Sequence, residues 1–172
     1  NQAQPVSRKM RETKEYREVK DIFQSYYLGE ELFADIYTRR PPLSMKEGLM
    51  KNYKLLIEEE LLDTLSRMYA FGVVTSRPRF EALYGLRNLS FVPNYIQEDR
   101  VIAKEDCPRE KPFPDPILLL LERTGWVNPL YIGDTVNDTL AAKDAGIPCI
   151  YVGEEKLGDF QVSSVNAIKK IL

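Results

Sequence analysis

The sequence contains no histidine among its 172 residues. This absence excludes a Ser-His-Asp triad, a Cys-His nucleophile pair and every zinc centre that uses a histidine ligand. A bound metal ion would therefore be held by oxygen atoms, since the chain has many carboxylates and too few thiols for a sulfur site.

Cysteine is also scarce, with only Cys107 and Cys149 present. Two cysteines are too few for the disulfide framework of a small secreted protein, and their spacing matches no metal-binding pattern. We expect both side chains to be free thiols and the protein to be cytoplasmic.

Long apolar runs and an excess of one charge are missing as well. No run reaches the roughly 18 residues of a membrane-spanning helix, and no leader sequence is recognisable. The formal charge of −2 provides no basic surface, which argues against nucleic acid or an anionic membrane as a partner. With 44% apolar residues the chain can bury a core, and a small solute is the expected partner. The oligomeric state stays open, with a homodimer as one option.

Apolar residues at helical spacing dominate the region before the Pro41-Pro42 pair. The first stripe consists of Val19, Ile22, Phe23, Tyr26 and Tyr27. Gly29 is expected to end that helix, and a second stripe follows at Leu32, Phe33, Ile36 and Tyr37. We expect Tyr26, Tyr27, Phe33 and Tyr37 to serve the packing of this helical region rather than to form a substrate cage.

From Phe71 onward, short apolar runs alternate with helical segments. The predicted strands are "FGVVT", "NYIQ", "PLYIG", "PCIYVG" and one further strand before the C-terminal helix. The predicted helices begin at Pro78, run through "DPILLLLERTG", and end at Gly146 and near Leu172. This alternation predicts an α/β fold, with a Rossmann-like parallel sheet and helices on both faces.

Polar side chains gather where the predicted strands end, which is where open α/β sheets place their ligands. The candidates are Thr75, Ser76, Arg77, Lys111, Asp134, Asn137 and Asp138. A hydroxyl, an ammonium group and two carboxylates without histidine suit phosphate chemistry. Asp134 and Asp138 are expected to bind Mg²⁺, while Thr75 and Lys111 are expected to hold phosphoryl oxygens.

The remaining candidates are expected at the edge of the same site. Ser76, Arg77 and Asn137 are predicted to contact the substrate, although a polar turn before Pro78 would explain the first two equally well. The central residues also have a structural alternative, since either aspartate could be only a helix cap and Lys111 only a solvated loop residue. A helix cap forms without the other polar residues at the strand ends, so the presence of all of them together favours a functional site.

Three stretches resemble motifs of the haloacid dehalogenase-like (HAD) hydrolases, which are mostly Mg²⁺-dependent phosphatases. "FGVVTSRP" resembles the second motif, "REKPFPDPILLLLERTG" the third and "YIGDTVNDTLAAKDAG" the fourth. The resemblance implies that Thr75 binds phosphate and that Lys111 stabilises the nucleophile and the phosphoryl charge. It also implies that Asp134 is a metal ligand and that Asp138 supports the metal site.

The resemblance covers about Leu55 to Leu172, and the order and spacing of the motifs make it specific. In overall appearance the chain is nearest to uncharacterised archaeal-type members that carry a helical cap between the first two motifs. Residues 1–50 would then be an incomplete portion of that cap, and residues 51–172 would be the Rossmann-like core.

The first family motif, an apolar strand ending in Asp-x-Asp, is missing from the sequence. In the family its first acid is the nucleophile and its second the general acid-base. The nearest candidate is Asp35 in "LFADIYT", but Tyr37 takes the place of the second acid and the apolar spacing is helical.

Three interpretations remain. The chain begins with Asn1 rather than methionine, so the favoured one is a phosphatase of small phosphorylated metabolites whose nucleophile lies upstream. The second is a catalytically inactive protein that uses the phosphate pocket for binding or regulation. The third, a dehalogenase-type hydrolase, is weaker because that chemistry does not need the Mg²⁺ ligands.

Overall fold

The structure, a computed structural model, describes residues 13–88 and 91–172. The chain divides into two compact units, residues 1–53 and 54–172, and each is described separately. The first unit contains helix α1 (Lys14–Tyr37) and a short 3₁₀ helix (Leu49–Asn52). The Thr13 hydroxyl caps α1 by accepting a 3.1 Å hydrogen bond from the Tyr16 amide.

Gly29 interrupts α1 at the position where the sequence predicts its end. Its backbone leaves the helical region, with φ 78° and ψ 173°. The Glu30 amide then donates to the Met45 carbonyl at 2.7 Å. A Cβ atom on Gly48 would lie 2.2 Å from the Leu28 carbonyl carbon, so the two chain segments can approach only because that position is glycine.

The first half of α1 does not bury the apolar stripe that its spacing predicts. The exposed side chains are Val19, Ile22, Phe23 and Tyr26. The buried residues on this half are Gln24, Ser25 and Leu28, and the Ser25 hydroxyl is satisfied by donating to the Asp21 carbonyl at 2.7 Å. The packing expected of Tyr26 is therefore wrong for the described part of the chain. In the second half Phe33 is fully buried, with its ring centroid 4.6 Å from that of Tyr37.

The second unit alternates helices and strands. Its helices are α2 (Glu59–Ser66), α3 (Arg79–Asn88), α4 (Asp115–Thr124) and α5 (Val136–Asp144). Its strands are β1 (Val73–Val74), β2 (Val101–Ile102), β3 (Tyr131–Gly133), β4 (Cys149–Val152) and β5 (Phe160–Val162). Short 3₁₀ helices cover Val92–Asn94, Glu98–Arg100, Lys104–Asp106 and Val165–Lys170.

All the strand pairings are parallel. β1 pairs with β2, while β3, β4 and β5 form a second sheet in that order. Parallel neighbours joined through helices are the arrangement that the alternating pattern predicts, and the α/β, Rossmann-like fold class is confirmed. None of the helices in the described ranges is both long and apolar enough to cross a membrane.

Buried apolar side chains fix the helices against these strands. One cluster joins α2 to the second sheet through Leu61, Leu65, Ile150, Val162 and Ile168. Another joins α4, α5 and β4 through Ile117, Ala141, Ala142 and Cys149, with the Tyr131 ring packed against it. The two alanines let α5 lie close to its neighbours, so the start of α5 has a fixed position beside the end of β3.

The strand predicted at "NYIQ" is wrong. Asn94 ends a 3₁₀ helix (Val92–Asn94) and residues 95–97 are turn and irregular backbone, so the strand lies instead at Val101–Ile102. Both strand residues are buried, at 1% and 0% exposure, and they pair with Val73 and Val74 of β1. Val101 and Ile102 form the strand because their side chains are the ones buried in the core. The last helical segment, Val165–Lys170, is a 3₁₀ helix.

Candidate functional site

A polar pocket of about 380 Å³ lies at the carboxyl ends of β1 and β3. The seven candidate residues expected at the strand ends all line it, together with Thr135. The volume falls within the range of small-molecule sites, and the position at strand ends is the usual one for α/β folds. The structure therefore brings the predicted residues together, while the role of each one stays a prediction.

The end of β1 contributes the first wall of the pocket. The Thr75 amide donates to the Ile102 carbonyl at 2.9 Å, which continues the pairing of β1 with β2. The Thr75 hydroxyl oxygen accepts a 3.2 Å bond from the Arg77 amide, so the chain turns tightly there. Ser76 and Arg77 are exposed on this turn. The polar turn predicted as the structural alternative is thus present, and it lies inside the pocket.

The end of β3 contributes the opposite wall. Asp134 is exposed, and its carboxylate makes no hydrogen bond to other residues of the described ranges. The preceding Gly133 is required by space, because a Cβ atom there would lie 2.3 Å from the Asp138 Cβ. Asn137 is exposed in the first turn of α5.

Asp138 has a different environment from Asp134, with only 4% of its surface exposed. Its Oδ2 atom accepts from the Thr135 hydroxyl at 2.6 Å and from the Thr135 amide at 3.1 Å. The Thr135 hydroxyl oxygen accepts in return from the Asp138 amide at 3.2 Å, which is a reciprocal capping box. Asp138 therefore takes part in capping α5 as the N3 partner of the N-cap Thr135, but capping uses only one of its two oxygens.

Lys111 connects the two walls. Its ammonium nitrogen lies 2.5 Å from Oδ1 of Asp138, 3.1 Å from the Tyr131 hydroxyl and 3.2 Å from the Val74 carbonyl oxygen. An ammonium group has three N–H donors, and these contacts supply an acceptor for each. Because the side chains of Lys111 and Asp138 are only 13% and 5% exposed, their ion pair is screened little by water.

The pKa values of this cluster are shifted in directions that keep the pair charged. Burial by itself would raise the pKa of Asp138, but hydrogen bonds from Lys111 and Thr135 outweigh it and hold that pKa below its usual range. Burial, together with the Asp138 charge and hydrogen bond, raises the pKa of the Tyr131 phenol. Asp138 is thus ionised and Tyr131 protonated at neutral pH.

Thr135 and Tyr131 are the residues of this cluster that the sequence reasoning missed. The spacing of "TVND" is that of a capping box with aspartate in place of glutamate, so the sequence does indicate Thr135 as a helix N-cap. Tyr131 had no such indication, because a tyrosine inside an apolar strand is equally compatible with plain packing. Asp35 lies exposed inside α1 rather than at a strand end.

The oxygen donors fit a divalent ion that retains much of its water shell. Asp134 offers a carboxylate without a protein partner, whereas both oxygens of Asp138 are engaged by Lys111, Tyr131 and Thr135. Within residues 13–88 and 91–172 no group of three or more acidic or cysteine side chains is gathered. Mg²⁺ commonly uses one or two carboxylates together with water and substrate oxygens, which this arrangement can provide.

Comparison with known proteins gives consistent results. Phosphoglycolate phosphatase from Escherichia coli (strain K12) is 37% identical over 94 residues, which cover 51% of this chain and 36% of that protein. Pyrophosphatase PpaX from Bacillus pumilus is 27% identical over 153 residues, covering 77% of this chain and 68% of that protein. This chain thus spans little more than a third of the E. coli relative. Both relatives are bacterial, and the predicted likeness to archaeal-type members stays a prediction.

Solved structures and a family profile agree with these matches. The crystal structure of a HAD-superfamily hydrolase, subfamily IA, from Geobacter sulfurreducens PCA superimposes with a TM-score of 0.59 at 29% identity. That match covers 67% of this chain and 61% of the other. The profile described as haloacid dehalogenase-like hydrolase matches residues 18–152, which is most of the chain. The resemblance predicted from the motifs is confirmed, and the chain belongs to the haloacid dehalogenase-like hydrolase family.

Proposed function

We propose that the protein is a phosphatase-type hydrolase of a small phosphate monoester and that it works with Mg²⁺. The observation that carries this proposal is the meeting of Thr75, Lys111 and Asp134 around one polar pocket at the strand ends. The relatives described above are named a phosphatase and a pyrophosphatase, which supports phosphate hydrolysis as the reaction class.

Different residues of the pocket are proposed to bind different parts of the substrate. The Thr75 hydroxyl and the Lys111 ammonium are assigned to the phosphoryl oxygens, and their presence in the pocket lining supports this assignment. The longest bond of Lys111, at 3.2 Å, goes to the Val74 carbonyl, and a phosphoryl oxygen can replace that bond. Ser76, Arg77 and Asn137 are assigned to the rest of the substrate, which their presence in the pocket lining supports. The lysine charge favours the added negative charge of the transition state.

Mg²⁺ is proposed at Asp134, with water and substrate oxygens as its other ligands. When bound, the ion would polarise the phosphoryl group. It would also offset the repulsion between the negative charge of the phosphate and the carboxylates of Asp134 and Asp138. Asp138 is proposed to act at the metal site indirectly, by holding Lys111 in place. A direct bond from Asp138 would require one of its present hydrogen bonds to be released.

The pocket offers groups that would position a phosphate and stabilise charge, but the proposal assigns none of its lining residues as the covalent phosphoryl acceptor. Thr75 forms part of the turn, and no histidine is present to activate it as a nucleophile. The proposal for the whole protein therefore requires an aspartate nucleophile supplied from an upstream Asp-x-Asp strand. A binding or regulatory protein without catalysis remains the second candidate, and this missing group is the observation that favours it.

The two candidates differ in one assay. We expect the chain from Asn1 to Leu172 to show no hydrolysis of p-nitrophenyl phosphate with Mg²⁺, because loss of a nucleophile costs several orders of magnitude in rate. A longer chain from the same coding sequence, extended upstream to an Asp-x-Asp strand, should be active. Asp134→Asn and Lys111→Ala in the longer chain should each abolish most of that activity.

The other outcomes are equally decisive. Inactivity of both chains would favour the binding protein, and an upstream sequence without Asp-x-Asp would reject the phosphatase. Activity of the 172-residue chain that disappears in Asp35→Asn would make Asp35 the nucleophile instead. Release of halide from a haloacid without Mg²⁺ would point to the dehalogenase-type reaction.

A further inference from the structure

Tyr131 lies behind the pocket rather than in its wall. The pocket is lined by Lys111 and Asp138, and Tyr131 is not among its lining residues. The Tyr131 ring packs against the apolar cluster formed by α4, α5 and β4. A phenylalanine would fill that space equally well, so packing alone does not account for the hydroxyl group.

The hydroxyl joins the two charged residues of the pocket. It accepts a hydrogen bond from the Lys111 ammonium at 3.1 Å and donates one to Oδ1 of Asp138 at 3.0 Å. Lys111 also donates directly to the same Oδ1 atom. Three polar groups on a loop, a strand and a helix therefore form a closed triangle.

A triangle of this kind restrains more than an ion pair does. A lysine side chain has many rotamers, and one contact with a carboxylate leaves much of that freedom. The phenol is rigid and its ring is held by packing, so a second contact to it limits where the ammonium can lie. The Val74 carbonyl supplies a third fixed contact from β1.

We propose that Tyr131 is a positioning residue, whose hydroxyl holds the Lys111–Asp138 pair so that the ammonium faces a phosphoryl group in the pocket. This inference rests on the proposed function, because it assigns the purpose of the restraint to phosphate binding. Tyr131 itself does not contact the substrate and acts only through Lys111 and Asp138.

Tyr131→Phe tests the inference, since it removes the hydroxyl and keeps the packed ring. We expect this variant to bind orthophosphate, in the presence of Mg²⁺, about fivefold more weakly than the unmodified chain, which corresponds to one lost hydrogen bond. Titration calorimetry measures the affinity. The matched control is Tyr151→Phe, which removes the hydroxyl of a buried tyrosine on the adjacent strand β4.

A second measurement reports on Lys111 without any ligand. In ¹⁵N-labelled protein, the ammonium protons of Lys111, identified by their absence in Lys111→Arg, should exchange slowly with water. Tyr131→Phe should speed this exchange severalfold, and Tyr151→Phe should leave it unchanged. Circular dichroism verifies that both variants are folded.

The two measurements separate the inference from the proposed function. Faster exchange with no phosphate binding by the unmodified chain would keep the positioning role and reject the phosphate site. Unchanged exchange in Tyr131→Phe, or an unprotected Lys111 in the unmodified chain, would overturn the positioning role. Unchanged phosphate affinity would also overturn it, and a higher affinity would show that the phenol competes with the anion.

Discussion

Asp134 and Asp138 differ in environment although they lie only four positions apart in the sequence. Asp134 belongs to the open side of the pocket, which we define as Ser76, Arg77, Asp134 and Asn137, all exposed. Asp138 belongs to the buried side, which we define as Lys111 and Asp138 together with Tyr131 behind them. Its carboxylate is almost fully enclosed and accepts hydrogen bonds from Lys111, Tyr131 and Thr135.

This difference shows how one site can contain both residues that are held rigidly and residues that are free to bind a ligand. A charged group that is free to bind a ligand must stay in contact with water, whereas a group that fixes its neighbours must be buried and satisfied. The open side offers oxygen and nitrogen atoms to a ligand, and the buried side holds Lys111 at a fixed point between β1 and β3. Substitutions on the two sides should therefore affect different properties.

The largest expected difference is in stability. Asp138→Asn leaves the Lys111 charge buried without its counterion, and we expect a loss of about 3 kcal/mol in the free energy of unfolding. Asp134→Asn changes an exposed side chain without a protein partner and should cost less than about 0.5 kcal/mol. Urea unfolding followed by circular dichroism measures both. Equal losses in the two variants would contradict the division into a buried and an open side.

The next difference is in Mg²⁺ affinity. Asp134→Asn removes the negative charge proposed to bind the ion, and we expect the affinity to fall about tenfold or more, since an amide oxygen is a much weaker ligand for a hard cation. Titration calorimetry with Mg²⁺ measures the change. Asn137→Ala is the matched control on the same side of the pocket, and it should have a smaller effect. Equal Mg²⁺ affinity in Asp134→Asn and the unmodified chain would remove Asp134 from the metal site.

Thr75 and Asp134 were easier to predict from the sequence than Tyr131. Thr75 and Asp134 each follow an apolar run directly, and the ends of parallel strands meet at one edge, so their proximity followed from the pattern. Tyr131 lies within such a run. Its two hydrogen bonds depend on the positions of Lys111 and Asp138, which only the folded chain brings together.

The same limit explains the errors in the fold. "NYIQ" and the run at Val101 each contain two adjacent residues that favour strands, and only burial beside β1 selects the second as a strand. In α1 the apolar spacing correctly indicated a helix and Gly29 correctly marked its break, but the face turned inward is the one with Gln24 and Ser25. Periodicity predicts the type of an element, whereas its buried face depends on tertiary contacts.

The smallest expected effect concerns the buried side at alkaline pH. The pKa of Tyr131 is raised in the folded protein above its value of about 10 in an unfolded chain. The folded state then binds the phenolic proton more tightly, so this contribution to stability is complete below about pH 10 and is lost as the pH rises further. We expect the stability advantage of the unmodified chain over Tyr131→Phe to shrink by about 1 kcal/mol between pH 9 and pH 11.

Urea midpoints measured at intervals across that pH range, for the unmodified chain and for Tyr131→Phe and Tyr151→Phe, test this expectation. The comparison between the two variants removes the contribution of lysines and other tyrosines, which titrate in the same range in all three proteins. A constant difference between the unmodified chain and Tyr131→Phe would mean that the phenol ionises as readily in the folded protein as in the unfolded chain. Tyr131 would then lie in water, and the buried side of the pocket would consist of the Lys111–Asp138 ion pair alone.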